Sequence, residues 1–186
     1  MDFVQRVVFV ATMMARYQKG RCAEFDYLAY WRNALATGVA VRALLPSFGI
    51  ARSMADDAFS AGLVSGIGWL AVAETYPALL AKYLKRCRGK DPLVKIRLQQ
   101  EMFPCPIRLV SERLLQRFSF PDIVHNTVAG RAEGHQRLGE CLARATRVAQ
   151  SLAPLSFLAV LPMSQIPLAC QEEWQRWQGM FAGALH

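Results

Sequence analysis

With 186 residues, 53% of them hydrophobic and 19% charged, the chain is too apolar for disorder and long enough to bury one substantial core. Its five cysteines, Cys22, Cys87, Cys105, Cys141 and Cys170, are odd in number and hold no CxxC pair, which speaks against a disulfide framework or a zinc knuckle and fits a reducing cytoplasm. The net charge of +8 attracts anions, but the basic residues are spread out, with one denser stretch from Lys82 to Arg97, so a solvated face is preferred to a nucleic-acid interface.

Apolar spacing follows the helical period nearly throughout. Met1 to Arg16 reads as a helix, because no convincing cleavage site follows its apolar stretch Val7 to Ala15. Phe25, Leu28, Trp31, Leu35, Val39 and Leu44 make one stripe on a helix of about five turns. Pro46 and Gly49 break it, and Ser53 or Asp56 is placed to cap a following helix whose face holds Phe59, Leu63, Ile67 and Leu70. Its glycines at 62, 66 and 68 invite close helix packing. Pro77 opens a helix through Leu84 that runs into a loop at Gly89-Lys90, and further helices are predicted near 92–102, 106–117, 121–130, 135–152 and 168–184.

Two uncharged stretches test the membrane reading. Ala58 to Ala73 is shorter than the roughly 20 residues a bilayer requires and reads as core. Val148 to Gln171 is long enough but carries Pro154, Pro162 and Pro167, which predicts two buried segments separated by a turn. No membrane partner is expected.

Four stretches resemble the HDOD domain, a bacterial relative of the metal-dependent phosphohydrolases of the HD superfamily, over roughly residues 5–150. Phe25-Asp26 with Tyr30-Trp31-Arg32-Asn33-Ala34-Leu35-Ala36 is similar to a helix in which the family writes Trp, a polar residue, then His. Ala58 to Gly68 resembles the signature helix containing Gly-Leu-Leu and His-Asp-Ile-Gly. Glu101 to Ile107 resembles Glu, any residue, Phe-Gly, any residue, Asp-His, and Leu114 to Pro121 resembles Leu-Leu, two residues, Trp, any residue, Phe or Leu, Pro. Where the family often carries a short His run, Thr127-Val128-Ala129-Gly130 stands here, with His125 slightly upstream.

The departures carry the functional expectation. Asn33 stands at one histidine position, Ser65 and Gly66 replace the His-Asp pair, and Ile107 takes another histidine position. An HD hydrolase holds a divalent metal through imidazoles and carboxylates, and the metal activates water and neutralises phosphoryl charge. These four residues cannot build that cage. The resemblance therefore implies an all-α helical bundle of HD-superfamily type that is a pseudoenzyme without cofactor. It implies a cytoplasmic domain of bacterial signal transduction that binds a protein partner or small effector, with Trp31 and Ile67 expected among the residues around the former metal pocket. Whether that pocket is filled core or open cleft is not decided by the sequence. The family fold also has a helical lobe ahead of this region. Residues 1–20 are expected to match its end, 21–152 to form the core and 153–186 a C-terminal extension, so that a fragment or truncated member is expected.

Rival sites rank below this reading. Asp56, Asp57, His125 and Glu133 are candidates for displaced ligands of a residual phosphohydrolase, while His125 and His135 read more simply as structural or surface residues. Cys105 lacks the arginine six residues on that a phosphatase loop needs, because position 111 is Ser111, and a packing role at a helix start is preferred. Arg137, Arg144 and Arg147, with Arg131, are a candidate anion-binding ridge, against which stands the solvated side of a helix whose other face holds Leu138, Leu142 and Val148. Trp174 and Trp177 are expected to close the core rather than bind a partner.

Overall fold

The computed structural model describes residues 2–131 and 136–181, and among them every regular element is helical. Helix α1 (Phe3–Arg16) opens with a capping box in which the Asp2 carboxylate accepts from the Gln5 peptide N–H. The Gln5 side chain accepts in return from Asp2 N–H at 3.0 Å, so two otherwise orphaned donors are satisfied. Helix α2 (Tyr27–Leu44) is capped by Asp26, whose side chain accepts from Ala29 N–H at 2.8 Å. It stops where Pro46 leads into a 3-10 turn, Leu45–Phe48, closed by Gly49 at φ +62°.

After a second 3-10 turn, Arg52–Met54, come α3 (Ala55–Val64), α4 (Ile67–Thr75), α5 (Pro77–Cys87) and α6 (Pro92–Met102). Then follow α7 (Ile107–Arg117), α8 (Asp122–Ala129), α9 (Gln136–Leu152) and α10 (Leu168–Phe181). The α6 boundaries coincide with the predicted 92–102, because Asp91 caps it and Pro92 occupies its first turn.

Helix α2 runs through the middle of the bundle, packed by α3, α9 and α10, while α7 bridges α4 and α8 and the α5–α6 hairpin lies beyond α4. The tightest approach is between α2 and α3. A Cβ placed on Gly62 would lie 2.7 Å from the Gly38 Cα and 3.0 Å from the Thr37 carbonyl carbon, so two backbones meet where no side chain fits. An aromatic cluster holds α4, α5 and the segment after α9 together. Trp69 stacks on Tyr83 at 5.4 Å and takes Phe157 edge-on at 5.1 Å, and the Tyr83 hydroxyl donates to the Phe157 carbonyl at 3.2 Å.

Several predicted details are corrected. The helix expected to begin after Ser53 or Asp56 is capped by neither; its N-cap is Met54, without a side-chain cap. That helix is also broken at Ser65-Gly66 into α3 and α4. The buried Ser111 hydroxyl of α7 donates to the Ser65 carbonyl at 3.0 Å and accepts the Gly68 N–H at 2.9 Å, so tertiary partners replace the local helical ones. The single apolar stripe of α2 is buried on nearly all sides instead, and Leu28, assigned to that stripe, lies on the exposed side.

Val148 to Gln171 is not two buried segments separated by a turn: its ends belong to α9 and α10, joined by residues 153–167. These residues form an irregular crossing in which Leu155 and Phe157 are buried and Leu161 is exposed. Side chains satisfy much of that backbone: Asn33 Nδ2 donates to the Ala153 carbonyl at 2.7 Å, and Gln150 donates to the Leu155 carbonyl and accepts its N–H. Arg52–Thr75 is long and apolar enough to cross a membrane, but 72% of its most apolar window is buried inside the bundle. Trp174 is buried and Trp177 stacks on Phe59 at 5.2 Å, closing the core as expected.

Cys105 is exposed, not packed at its helix start, whereas Cys22, Cys87, Cys141 and Cys170 are buried. Burial pushes the Cys141 thiol up to about 12 and the Cys170 thiol up to about 11, and it also raises Cys22 and Cys87. A neutral thiol is a poor nucleophile. Titration of the native protein with an aromatic disulfide reagent at neutral pH should therefore consume one thiol rapidly, with the other four reacting only in denaturant. Rapid reaction of a second thiol would contradict the packing described.

Candidate functional site

The face of α2 that carries Asn33 repeats at helical spacing as Tyr30, Asn33, Ala34 and Thr37, and these four residues form one wall of an open cleft of about 1670 Å³. The break between α3 and α4 brings Ser65 and Gly66 to the same cleft, and the first turn of α7 brings Ile107 and Arg108. All four positions at which the family resemblance expects metal ligands, Asn33, Ser65, Gly66 and Ile107, thus border one space. Further walls come from Ile96 and Gln99 of α6, the start of α9, and Leu155 and Leu158 of the irregular crossing.

The polar groups there are mostly engaged with protein. Asn33 is held by the Ala153 carbonyl, and its own carbonyl accepts from the Thr37 hydroxyl at 2.8 Å. The Ser65 hydroxyl donates to the Gly62 carbonyl at 2.9 Å. Arg108 Nη1 donates to the Ala129 carbonyl at 3.0 Å, tying the first turn of α7 to the last turn of α8. Ile107 is buried, and its carbonyl lies 2.6 Å from where a Cβ on Gly68 would stand, so α7 begins directly against α4.

One group is an exception. The Tyr30 side chain is buried, its hydroxyl has no hydrogen-bond partner, and burial raises its pKa. A Cβ on Gly66 would stand in ordinary contact with that ring, 3.4 Å from Cε2 and 3.9 Å from the hydroxyl oxygen, with no other neighbour within 4 Å.

Trp31 and Ile67, expected around the pocket, are buried but do not border the cleft. One residue along a helix turns the side chain by about 100°, so Tyr30 and not Trp31 shares the Asn33 face; the Trp31 indole N–H instead donates to the Tyr17 carbonyl at 3.1 Å. The helical repeat from Asn33 was the signal that identifies Tyr30, and adjacency to Ile107 the one for Arg108. Arg137 borders the cleft, with Nη1 3.4 Å from the position of a Cβ on Gly49. Arg144 and Arg147 are exposed and do not border it, while Leu138, Leu142 and Val148 are buried on the opposite face of α9. Arg131 pairs with the buried Glu112 carboxylate.

The displaced-ligand candidates do not come together. Asp57 pairs with Arg6 at 2.6 Å, Asp56 is exposed, and His125 lies buried on α8 with Nε2 3.0 Å from Asp122 Oδ1. None of the three borders the cleft, and Glu133 and His135 lie outside the described residues. Among the described residues no group of three or more His, Cys, Asp or Glu side chains is placed to hold a metal ion. At the four family positions, an amide, a hydroxyl, a glycine and an isoleucine offer no donor set that grips a divalent cation, so the residues present do not fit the metal of the HD hydrolases.

Comparison with known proteins agrees with this architecture. Among solved structures, the MmoQ response regulator from Methylococcus capsulatus str. Bath is 30% identical, over 72% of this chain and 52% of that one, with a TM-score of 0.51. The chain thus spans about half the length of MmoQ. A "Putative phosphohydrolase" from Shewanella amazonensis SB2B is 17% identical, over 97% of this chain and 71% of that one, with a TM-score of 0.67, a likeness of fold alone. No curated protein matches the sequence. The sequence profile of the HDOD domain matches residues 1–133, from α1 through α8, and the chain belongs to the HDOD domain family.

Proposed function

We propose that this chain is a non-catalytic signalling domain that binds a small effector or a protein partner through the cleft between α2, α4, α7 and α9. The observation that carries this reading is the meeting of Asn33, Ser65, Gly66 and Ile107 on one open space, with a donor set unsuited to a divalent metal. Resemblance to a response regulator, MmoQ, supports a place in signal transduction. An open cleft with an apolar wall and a few polar groups is the usual form of a small-molecule site, which favours the effector over the partner.

The mechanism is conformational. Occupation of the cleft joins α2 and α4 in the body of the bundle to α6 and the irregular crossing at its edge. A ligand shifts such an arrangement only by binding one conformation more tightly than another.

Metal analysis of the purified protein, followed by a phosphoesterase screen with added manganese, tests the absence of catalysis. Substoichiometric metal and no turnover are expected. Stoichiometric metal together with chelator-sensitive turnover would overturn the reading.

A further inference from the structure

Between Asp2 and Arg16 the only charged residue of α1 is Arg6, and the fold turns it inward. Arg6 is buried, with Nη1 2.6 Å from the Asp57 carboxylate of α3. The same inner face holds buried Val10 and Phe3, edge-on to Phe59 at 6.2 Å. Phe9 lies there too, its ring 5.0 Å from Phe118 and 5.7 Å from Phe120. A helix anchored at so many points is held in one rotation, which defines its outer face. The solvent side of a surface helix is ordinarily charged or polar. Here it carries Val4, Val8, Ala11 and Ala15: Val4 is 68% and Val8 59% exposed, and both alanines are exposed as well.

These four residues are spaced four, three and four apart. That alternation is the heptad pattern, which keeps one apolar seam turned toward a partner helix. Within the chain α1 packs chiefly on α3, through its opposite face, so the seam is left without a partner.

The seam is complementary to itself. Its valines stand in the N-terminal half and its alanines in the C-terminal half. Antiparallel pairing of two copies sets Val4 against Ala15 and Val8 against Ala11, a large side chain on a small one in every layer. A two-fold axis repeats each contact, as a closed dimer requires. Parallel pairing would stack valine on valine and alanine on alanine. The ends agree with the antiparallel choice. Asp2 precedes the seam and Arg16 follows it, so antiparallel copies bring opposite charges together at both ends, whereas parallel copies would bring like charges together.

We propose that α1 is a self-association surface, on which two copies of this chain pair as antiparallel helices through Val4, Val8, Ala11 and Ala15. None of these residues borders the cleft, so the interface stands independently of the ligand-binding reading. Two helices of this length bury less than the roughly 1,600 Å² of a standard interface, and a reversible dimer follows.

Sedimentation velocity of the full chain tests it, under reducing conditions because Cys105 is exposed. Between about 5 µM and about 1 mM the mass should rise from monomer toward dimer, and Val8→Glu should move the midpoint upward about tenfold or more, because a carboxylate is then buried in an apolar seam. Val8 is exposed in the single chain, so at low concentration the variant should keep the wild-type melting temperature. A chain that stays monomeric throughout the range, a dimer whose midpoint Val8→Glu leaves unchanged, or open-ended assembly beyond the dimer would overturn the proposal. The first of these would give the seam to a different protein or segment.

Cross-linking reads the orientation. In a Cys105→Ser background, chains carrying Val4→Cys and chains carrying Ala15→Cys are treated with a short bismaleimide, separately and mixed. Antiparallel pairing puts position 4 against position 15 and holds the two copies of position 4 about 16 Å apart along the helix axis. The mixture should therefore cross-link faster than either chain alone. Faster coupling of position 4 to itself would overturn the antiparallel pairing.

Discussion

Replacing Gly62 by valine is expected to destabilise the bundle more than replacing it by alanine, which should cost about 2 kcal/mol. The reason is the nature of the obstacle. The atoms that a Cβ would meet at 2.7–3.0 Å are the Gly38 N and Cα and the Thr37 carbonyl carbon, all backbone of a helix buried on nearly every side. A flexible side chain can swing away; a central helix moves only by loosening its packing with α3, α9 and α10 together. Valine adds two more carbons to the same collision, for a loss of at least ~3 kcal/mol and a drop in melting temperature on the order of 6–12 °C in a chain of this length. Urea unfolding followed by circular dichroism measures both variants. Gly66→Ala is the control, because its methyl meets no backbone atom within 4 Å. Equal stability of Gly62→Ala and Gly66→Ala would show that α2 and α3 are not in backbone contact.

Ser111→Ala should cost about 2–4 kcal/mol, although it removes a single oxygen. That oxygen donates to the Ser65 carbonyl and accepts from the Gly68 N–H, and Ser111 is fully buried. Without it, two backbone groups at the α3–α4 break are left unpaired away from water, each worth about 1–3 kcal/mol. The break itself is what presents Ser65 and Gly66 to the cleft, so the same variant should weaken ligand binding as well as stability. Chemical denaturation and amide exchange at Gly68 check this. Retained slow exchange at Gly68 with unchanged stability would mean that the helix break is held by other contacts.

The fold was largely legible along the chain because helical periodicity and terminators are local signals. Pro77 and Pro92 open α5 and α6, Pro46 with Gly49 closes α2, and Gly130 at φ +74° closes α8. The irregular crossing after α9 was not legible, since its backbone is satisfied by Asn33, Gln150 and Tyr83, residues whose proximity no local pattern records. The identities of Asn33, Ser65, Gly66 and Ile107 were legible as departures from a family pattern. Their meeting on one open cleft was not.

Sequence alone determined the helices, where most of them stop, and which chemical groups stand at the family's metal positions, because a helix is specified by neighbours three and four residues apart and a side chain's donor set by its identity. Only the tertiary structure decided that α3 and α4 are two helices and that Tyr30 rather than Trp31 faces the cleft. It also decided that the phenol there has no partner. Those outcomes depend on the angle at which distant segments meet and on which polar groups are left over once they have met.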